Sequence, residues 1–383
     1  MEYAGFLLRR ERLKRNWSQE GLCKGICTVS YLSKIEQGKA MPSFEVFNLL
    51  MQRMELHWFG EDSQAEAFLE DAYEALFSFD DRLPDMFANA DRERYCYSSY
   101  GADYLLLEQF VRTTGRNPME SELESCLNAR QLALQRVLQH RYSDAMHLCI
   151  RAFFTCLAGI DCYDQGNLTG AVELLNQAYW QASEEGCPRI MLHCKLYLGN
   201  CYSNKHDLES MQIHYRVARR LAMALKDTNA IASIDYNTAA TQIEAGHYRE
   251  AMSYFQKLEH PRRMDLHKLA ICCEKLGLEQ EALDALNRTS NAPRDDWMPE
   301  DLECAMLEVV RLRLQNKNYR KDVHYGEVLL RCFNRCREEL PSGYAIFHLP
   351  WVLEWYESSR QYKLALELLR NFPEAGSNML SNR

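Results

Sequence analysis

The polar residues best placed for chemistry in this 383-residue chain lie near its start, in the stretch CTVSYLSKIEQGKAMPS at 27–43. Thr28, Val29 and Ser30 are small enough for a helix backbone to approach base edges, and Val29 would meet a thymine methyl group. Lys34, one helical turn further on, would reach guanine or a phosphate. Three more side chains would meet phosphate oxygens and set the register: Gln19, Tyr31 and Lys39.

Catalytic and metal-binding chemistry is poorly supported by the sequence. There is no Gly-rich phosphate loop, nucleophile elbow or paired His and Glu motif. Cys332 and Cys336 are one helical turn apart, as are Cys23 and Cys27, but neither pair has a second pair of ligands at metal spacing. We therefore expect no enzyme, no metal and no cofactor.

Composition predicts a globular protein that stays in the cytoplasm. The chain is 47% hydrophobic, has a net charge of -9 and contains 15 cysteines without a disulfide-like framework. It has no long apolar run typical of a membrane span and no signal-peptide pattern. Residues 1–60 carry nine Lys and Arg against six Asp and Glu, so a basic head precedes an acidic body.

The basic head reads as four short helices. The first, over 3–15, combines a buried face with a solvated cationic face that includes Arg9, Arg10, Arg12 and Lys14. Ser18 caps a second helix, a third runs over 28–37, and Pro42 and Ser43 open a fourth. A short helix, a turn and an outward-facing helix form a helix-turn-helix.

The string SQEGLCKGICTVSYLSKIEQGKAMPS resembles the DNA-binding domain of the lambda-type repressor (Xre) superfamily.

The rest of the chain reads as repeated helical pairs. The turn residues Leu168, Leu208 and Tyr248 are forty residues apart, and Tyr319 and Tyr362 continue the series. Pairs repeated at this interval are typical of an α-solenoid, because no pair can bury its own apolar face alone. Small residues at Gly159 and Gly199 would let neighbouring helices approach. The sequence therefore predicts an all-α protein, with tetratricopeptide-like hairpins in a right-handed solenoid.

A lambda-type head on such a body resembles the RRNPP family of peptide-sensing regulators, and the resemblance covers the whole chain. It implies a homodimer that binds double-stranded operator DNA and holds a short signalling peptide in the groove of its solenoid. It also implies that Asn200 and Asn237, at corresponding positions of neighbouring repeats, clamp the peptide backbone, since an Asn side chain both donates and accepts. The tyrosines expected to line the same groove are Tyr163, Tyr197, Tyr202 and Tyr236.

Purely structural roles remain the alternative for these groove residues. The asparagines can instead hold helix pairs together, and the tyrosines can instead be repeat core.

The predicted domains are a head at 1–58, a linker at 59–66, a solenoid at 67–373 that binds peptide and dimerises, and a tail at 374–383. The leading function is a quorum-sensing type of DNA-binding regulator. The alternative is an interaction protein whose solenoid acts on a partner protein, with the head used mainly for dimerisation.

Overall fold

The computed structural model describes residues 3–112, 124, 127–294 and 298–372. Within these ranges the regular structure is helical, and the one extended pairing is a single bridge between Gly60 and Ser98. The all-α fold predicted from the sequence is therefore confirmed. The helices up to residue 148 are α1 (Tyr3–Lys14), α2 (Gln19–Cys23), α3 (Val29–Glu36), α4 (Phe44–Arg53), α5 (Ser63–Phe77), α6 (Leu83–Ala88), α7 (Arg92–Cys96), α8 (Gly101–Val111), α9 (Ala129–Leu138) and α10 (Tyr142–Leu148).

Six helical hairpins follow. Their helices are α11 (Ala152–Asp164), α12 (Leu168–Glu185), α13 (Pro188–Asn204), α14 (Leu208–Leu225), α15 (Thr228–Glu244), α16 (Tyr248–Gln256), α17 (Arg263–Lys275), α18 (Glu279–Arg288), α19 (Glu300–Gln315), α20 (Val323–Glu339), α21 (Ser342–Ser358) and α22 (Tyr362–Arg370). Short 3-10 turns lie at Thr289–Asn291 and Tyr319–Lys321.

The chain divides into two compact units. The first contains Met1–Ala158 and Gln181–Ile190, and the second contains Gly159–Trp180 and Met191–Arg383. Each unit buries its own apolar residues, so each is described separately below.

Helices α1 to α4 of the first unit form a small core. Leu8, Leu32, Ile35 and Phe47 are all fully buried there. Gly5 allows the close approach of α1 to α3, because a Cβ atom at this position would overlap the backbone carbonyl of Ile35. The four helices predicted for the head are confirmed, with ends within about two residues of those expected.

The stretch after the head is hydrogen-bonded to the rest of the first unit. The amide of Phe59 donates to the carbonyl of Tyr97 at 2.9 Å, and the amide of Ser99 donates to the carbonyl of Gly60 at 3.0 Å. Helix α5 begins at Ser63, inside the predicted linker. The domain boundaries at 58, 66 and 373 stay predictions, and the predicted tail lies outside the described residues.

The predicted turn residues mark where the second helices of the hairpins begin. Helices α12, α14, α16 and α22 start at Leu168, Leu208, Tyr248 and Tyr362, and Tyr319 opens a 3-10 turn just before α20. The residue two positions before each of these four starts is left-handed. It is glycine in two turns, Gly166 and Gly246, but His206 and Arg360 in the others.

Small residues set the spacing between helices of the second unit. A Cβ atom on Gly199 of α13 would overlap the ring of Tyr215 on α14, and one on Gly159 would lie 2.9 Å from Leu175 Cγ. These contacts confirm the packing role predicted for both glycines. The last hairpin also returns to the first, since the hydroxyl of Ser342 donates to the carbonyl of Tyr163 at 3.1 Å.

Candidate DNA-binding surface and ligand cavity

The N-terminus of α3 is shaped by a side-chain cap. The Thr28 hydroxyl accepts a hydrogen bond from the Tyr31 amide at 3.2 Å, which satisfies one of the free amides of the first turn. Ser18 caps α2 in the same way, through the Gly21 amide. Gly25, with φ of +76°, makes the turn that separates the two helices. The Thr28 hydroxyl therefore has a structural partner besides any contact with DNA.

The outward face of α3 is exposed as predicted. Val29 is 42% exposed, and Ser30, Lys34 and Lys39 are exposed with it. In the described part of the chain, Lys34 and Lys39 form no salt bridge, so both ammonium groups are available to an anion. Along α3 from its N-terminus, the exposed face presents small side chains in the first turn and the Lys34 cation one turn later.

Gln19 and Tyr31 are held by internal partners. The Gln19 amide donates to Glu36 Oε2 at 2.8 Å, and the Tyr31 hydroxyl donates to the carbonyl of Met41 at 3.1 Å. Each side chain keeps a further donor or acceptor. Their predicted contacts with phosphate stay predictions.

One part of the predicted cationic face of α1 is wrong. Arg12 is 8% exposed and forms a paired hydrogen bond with Glu36, at 2.6 Å from Nε and 2.7 Å from Nη2. Its Nη1 donates to the carbonyl of Trp17 at 2.8 Å. Sequence reasoning missed this pair because its partners are 24 residues apart in different helices. Lys14 is exposed, as expected.

The second unit contains a cavity of about 330 Å³, lined mainly by the first helices of five hairpins, α11, α13, α15, α17 and α21. Five of the six residues predicted for the groove line it: Asn200, Asn237, Tyr163, Tyr197 and Tyr236. Tyr202 does not, because its ring stacks on His214 with centroids 5.1 Å apart. The cavity falls in the size range of small-molecule sites.

The two asparagines are hydrogen-bonded to each other. Asn200 Oδ1 accepts from Asn237 Nδ2 at 3.0 Å and from the Tyr215 hydroxyl at 2.6 Å. The pair thus uses the acceptor of Asn200 and a donor of Asn237. It leaves the amide nitrogen of Asn200 as a donor and the amide oxygen of Asn237 as an acceptor for a ligand.

Several polar cavity residues were not predicted. Ser203 and Thr241 hydroxyls are 2.5 Å apart, and Asn204 Nδ2 donates to the Tyr163 hydroxyl at 3.5 Å. Burial raises the pKa of Tyr163 well above its ordinary value, so its hydroxyl stays protonated. The signal was available, because Ser203 and Thr241 follow Asn200 and Asn237 by about one helical turn.

Three charged residues also line the cavity: Asp164 of α11, Glu244 of α15 and Lys268 of α17. Burial raises the pKa of Asp164 to about 6. Burial raises the pKa of Glu244 to about 7 and lowers the pKa of Lys268 to about 7, although their mutual attraction opposes both shifts. Glu244 and Phe347 are shared with an adjoining cavity of about 790 Å³. The space open to an elongated ligand is therefore larger than the first cavity.

The described ranges do not form a metal site. They contain no group of three or more His, Cys, Asp or Glu side chains arranged to hold a metal ion. Cys332 and Cys336 are both fully buried in the core. None of the helices described is both long and apolar enough to cross a membrane.

Comparison with known proteins identifies the head and the fold of the body. Residues 8–57 match the helix-turn-helix family model HTH_3, so this segment is a helix-turn-helix domain. No curated protein matches the chain.

Two solved structures are similar to the chain. A Rap protein complexed with competence and sporulation factor shares 14% identity, with 84% of this chain and 100% of that chain covered and a TM-score of 0.57. This similarity shows the fold alone. PlcR of Bacillus thuringiensis in complex with the peptide PapR7 and DNA covers 82% of this chain and 100% of its own at 15% identity; its TM-score of 0.31 supports no conclusion about the fold.

The helix-turn-helix match over residues 8–57 and the fold shared with the Rap structure together confirm the predicted architecture, a helix-turn-helix head on a body of helical repeats.

Proposed function

We propose that this protein is a DNA-binding transcriptional regulator controlled by a short peptide that binds in the cavity of its second unit. DNA binding is supported by the helix-turn-helix match over residues 8–57 and by the exposed α3 face with its unpaired Lys34. Such a face fits the major groove, with base edges read by the first turn of the helix. The regulator acts in the cytoplasm, as a homodimer on a two-fold operator.

Peptide control is supported chiefly by the Asn200 and Asn237 pair. An extended peptide presents alternating N–H and C=O groups, and the pair offers one donor and one acceptor side by side in a cavity. The Rap structure of similar fold has competence and sporulation factor bound. No cofactor and no catalytic step are part of this proposal.

The DNA-binding half is tested by selecting duplexes from a randomised pool with the full-length protein. We expect Lys34→Ala to weaken binding of the selected duplex by about tenfold, because it removes one base or phosphate contact. The matched control is Lys257→Ala, which removes an exposed lysine at the end of α16. Equal affinities of wild type and Lys34→Ala would contradict the role of α3.

The peptide-binding half is tested with a random heptapeptide pool and immobilised full-length protein. We expect wild type to enrich a subset of peptides, and Asn200→Ala or Asn237→Ala to lose them. Asn176→Ala is the control, since Asn176 on α12 donates only to the carbonyl of Val172. An enriched peptide should also change the affinity for the selected duplex; a peptide without any effect on it would rule out control of DNA binding.

A further inference from the structure

A buried lysine lies in the wall of the ligand cavity, and no described carboxylate is close enough to form a salt bridge with it. Lys268 is 5% exposed and lines the cavity together with Asn237 and Glu244. Its Nζ atom is 2.9 Å from the centre of the Phe347 ring. Among the residues that the structure describes, no salt bridge joins this ammonium to a carboxylate.

An ammonium group in this setting is incompletely satisfied. It has three N–H donors, and the face of an aromatic ring attracts the charge without accepting ordinary hydrogen bonds. Removing such a cation from water is costly unless a partner replaces the lost solvation. Because Lys268 borders the cavity, a ligand can provide that partner.

Glu244 lines the same cavity and also affects the charge of the site. It borders both adjoining cavities, and its nearest basic atom is Nδ1 of His206 at 3.9 Å. Since burial raises the pKa of Glu244 to about 7, this carboxyl group can take up a proton near neutral pH. In that form it does not repel an anion and donates a hydrogen bond instead.

We propose that Lys268 is the anchor for a carboxylate of the bound peptide. This inference rests on the proposed function, because it assumes that the cavity binds a peptide. Lys268 is the one lysine or arginine among the described residues that line this cavity, and a charge-assisted hydrogen bond is stronger than a neutral one. The carboxylate is either the C-terminus of the peptide or an Asp or Glu side chain.

Lys268 on α17 follows Asn200 on α13 and Asn237 on α15 in the series of polar residues that line the cavity, so it lies at one end of that series. Lys268 lies beside Phe347, which together with Glu244 borders the cavity of about 790 Å³. A peptide backbone held by Asn200 and Asn237 would thus bring its carboxylate to the junction of the two cavities. The apolar lining of the larger cavity, which includes Ile271 and Trp351, is left for hydrophobic side chains.

The test uses four heptapeptide pools and the immobilised full-length protein. The pools have free or amidated C-termini, each with or without Asp and Glu, and bound peptides are quantified by mass spectrometry. We expect the pools that contain a carboxylate to be enriched about tenfold or more over the amidated, acid-free pool. Enrichment in the acid-free pool with free C-termini identifies the terminal carboxylate. Enrichment of Asp or Glu at one position in the amidated pool identifies a side chain.

Variants assign the preference to Lys268. We expect Lys268→Met to bind all four pools alike, whereas Lys257→Met, at an exposed site, keeps the wild-type preference. An apolar residue of similar length in place of a buried charge is usually tolerated, so Lys268→Met should fold, and Lys268→Gln provides a second variant. Circular dichroism and thermal melting check both.

Three results would overturn the anchor alone: equal enrichment of the amidated, acid-free pool by wild type, an unchanged carboxylate preference in both Lys268 variants, or a preference for peptides rich in Lys and Arg. Failure of wild type to enrich any pool would instead overturn the proposed peptide binding, and the anchor with it.

Discussion

A single carboxylate, Glu36, holds three parts of the head together. It accepts two hydrogen bonds from Arg12 of α1 and one from Gln19 of α2, while its own backbone belongs to α3. Its side chain is 2% exposed. Because the pair is buried, loss of one member leaves a charge without a partner in a medium of low dielectric constant.

We therefore predict that Glu36→Ala lowers the free energy of unfolding of the head by about 3 kcal/mol or more. Hydrogen exchange of the α1 and α3 amides in the full-length protein measures the effect locally. Glu20→Ala, at an exposed position of α2, is the control and should change protection little. Wild-type protection in Glu36→Ala would show that the buried pair does not stabilise the head.

A buried histidine makes stability depend on pH. His348 is 1% exposed, its Nδ1–H donates to the carbonyl of Tyr344 at 2.7 Å, and burial lowers its pKa to about 4. The charged groups nearest to it are Lys268 and, when protonated, His267, whose ring centroid is 6.5 Å away. Both oppose a positive charge on His348.

Between pH 6.5 and 4 the unfolded chain binds a proton at His348 that the folded protein does not. Stability should therefore fall as the pH falls through this window, by about 1.4 kcal/mol per pH unit from this group. Glu244, with its raised pKa, contributes the opposite slope between pH 4.5 and 7. The informative quantity is therefore the difference in free energy of unfolding between wild type and His348→Leu, in which the contribution of Glu244 cancels. Measured by denaturant unfolding, the two free energies should converge as the pH is lowered, with exposed His260→Leu as the control. A pH-independent difference would refute the prediction.

At the scale of elements, the contact between α13 and α14 depends on Gly199. A methyl group there would overlap the Tyr215 ring, and this ring also places the hydroxyl that donates to Asn200. We predict that Gly199→Ala lowers the free energy of unfolding by about 1–3 kcal/mol and weakens peptide binding. Thermal melting and the heptapeptide pool measure the two effects.

The matched control for this substitution is Gly21→Ala on α2. It makes the same change within a helix, but the new methyl group would approach only the Ser18 hydroxyl, at 3.3 Å. Since alanine has the higher helix propensity, this variant should be neutral or slightly more stable. A similar loss in both variants would mean that packing against Tyr215 is not the cause.

Element boundaries were the most predictable part of the fold. The turn residues at Leu168, Leu208 and Tyr248 were identified by their spacing, and each begins a helix in the structure. Turns and caps depend on residues close in sequence, so their signals are local. The left-handed conformation of Arg360 could not be predicted, because arginine seldom adopts it. Histidine adopts it more often than most residues, but too rarely for His206 to be identified by its type alone.

At the scale of the whole molecule, the net charge of -9 would oppose binding to a polyanion unless the contact is confined to the basic head. Binding that neutralises phosphates with Lys and Arg releases counterions. We predict that affinity for the selected duplex falls by about 10³ or more between 50 and 200 mM salt, for a complex with six or more phosphate contacts. Electrophoretic mobility shift or anisotropy titrations measure the slope, and a flat dependence would argue against the proposed interface.

The sequence by itself determined the helical class, the helix-turn-helix and the repeat interval, and five of the six residues it predicted for the groove line the cavity. Each depends on a short-range pattern: capping residues, apolar period, or equivalent positions in successive repeats. The repeat brought Asn200 and Asn237 to the same wall because equivalent positions of stacked hairpins are neighbours.

Only the tertiary structure decided which polar residues are paired with one another. It buried Arg12 against Glu36, turned Tyr202 onto His214, and brought Lys268 beside Phe347, 79 residues later in the chain. The strength of a charge and the accessibility of a side chain depend on what surrounds it in space. Those surroundings come from distant segments whose approach leaves no local pattern in the sequence.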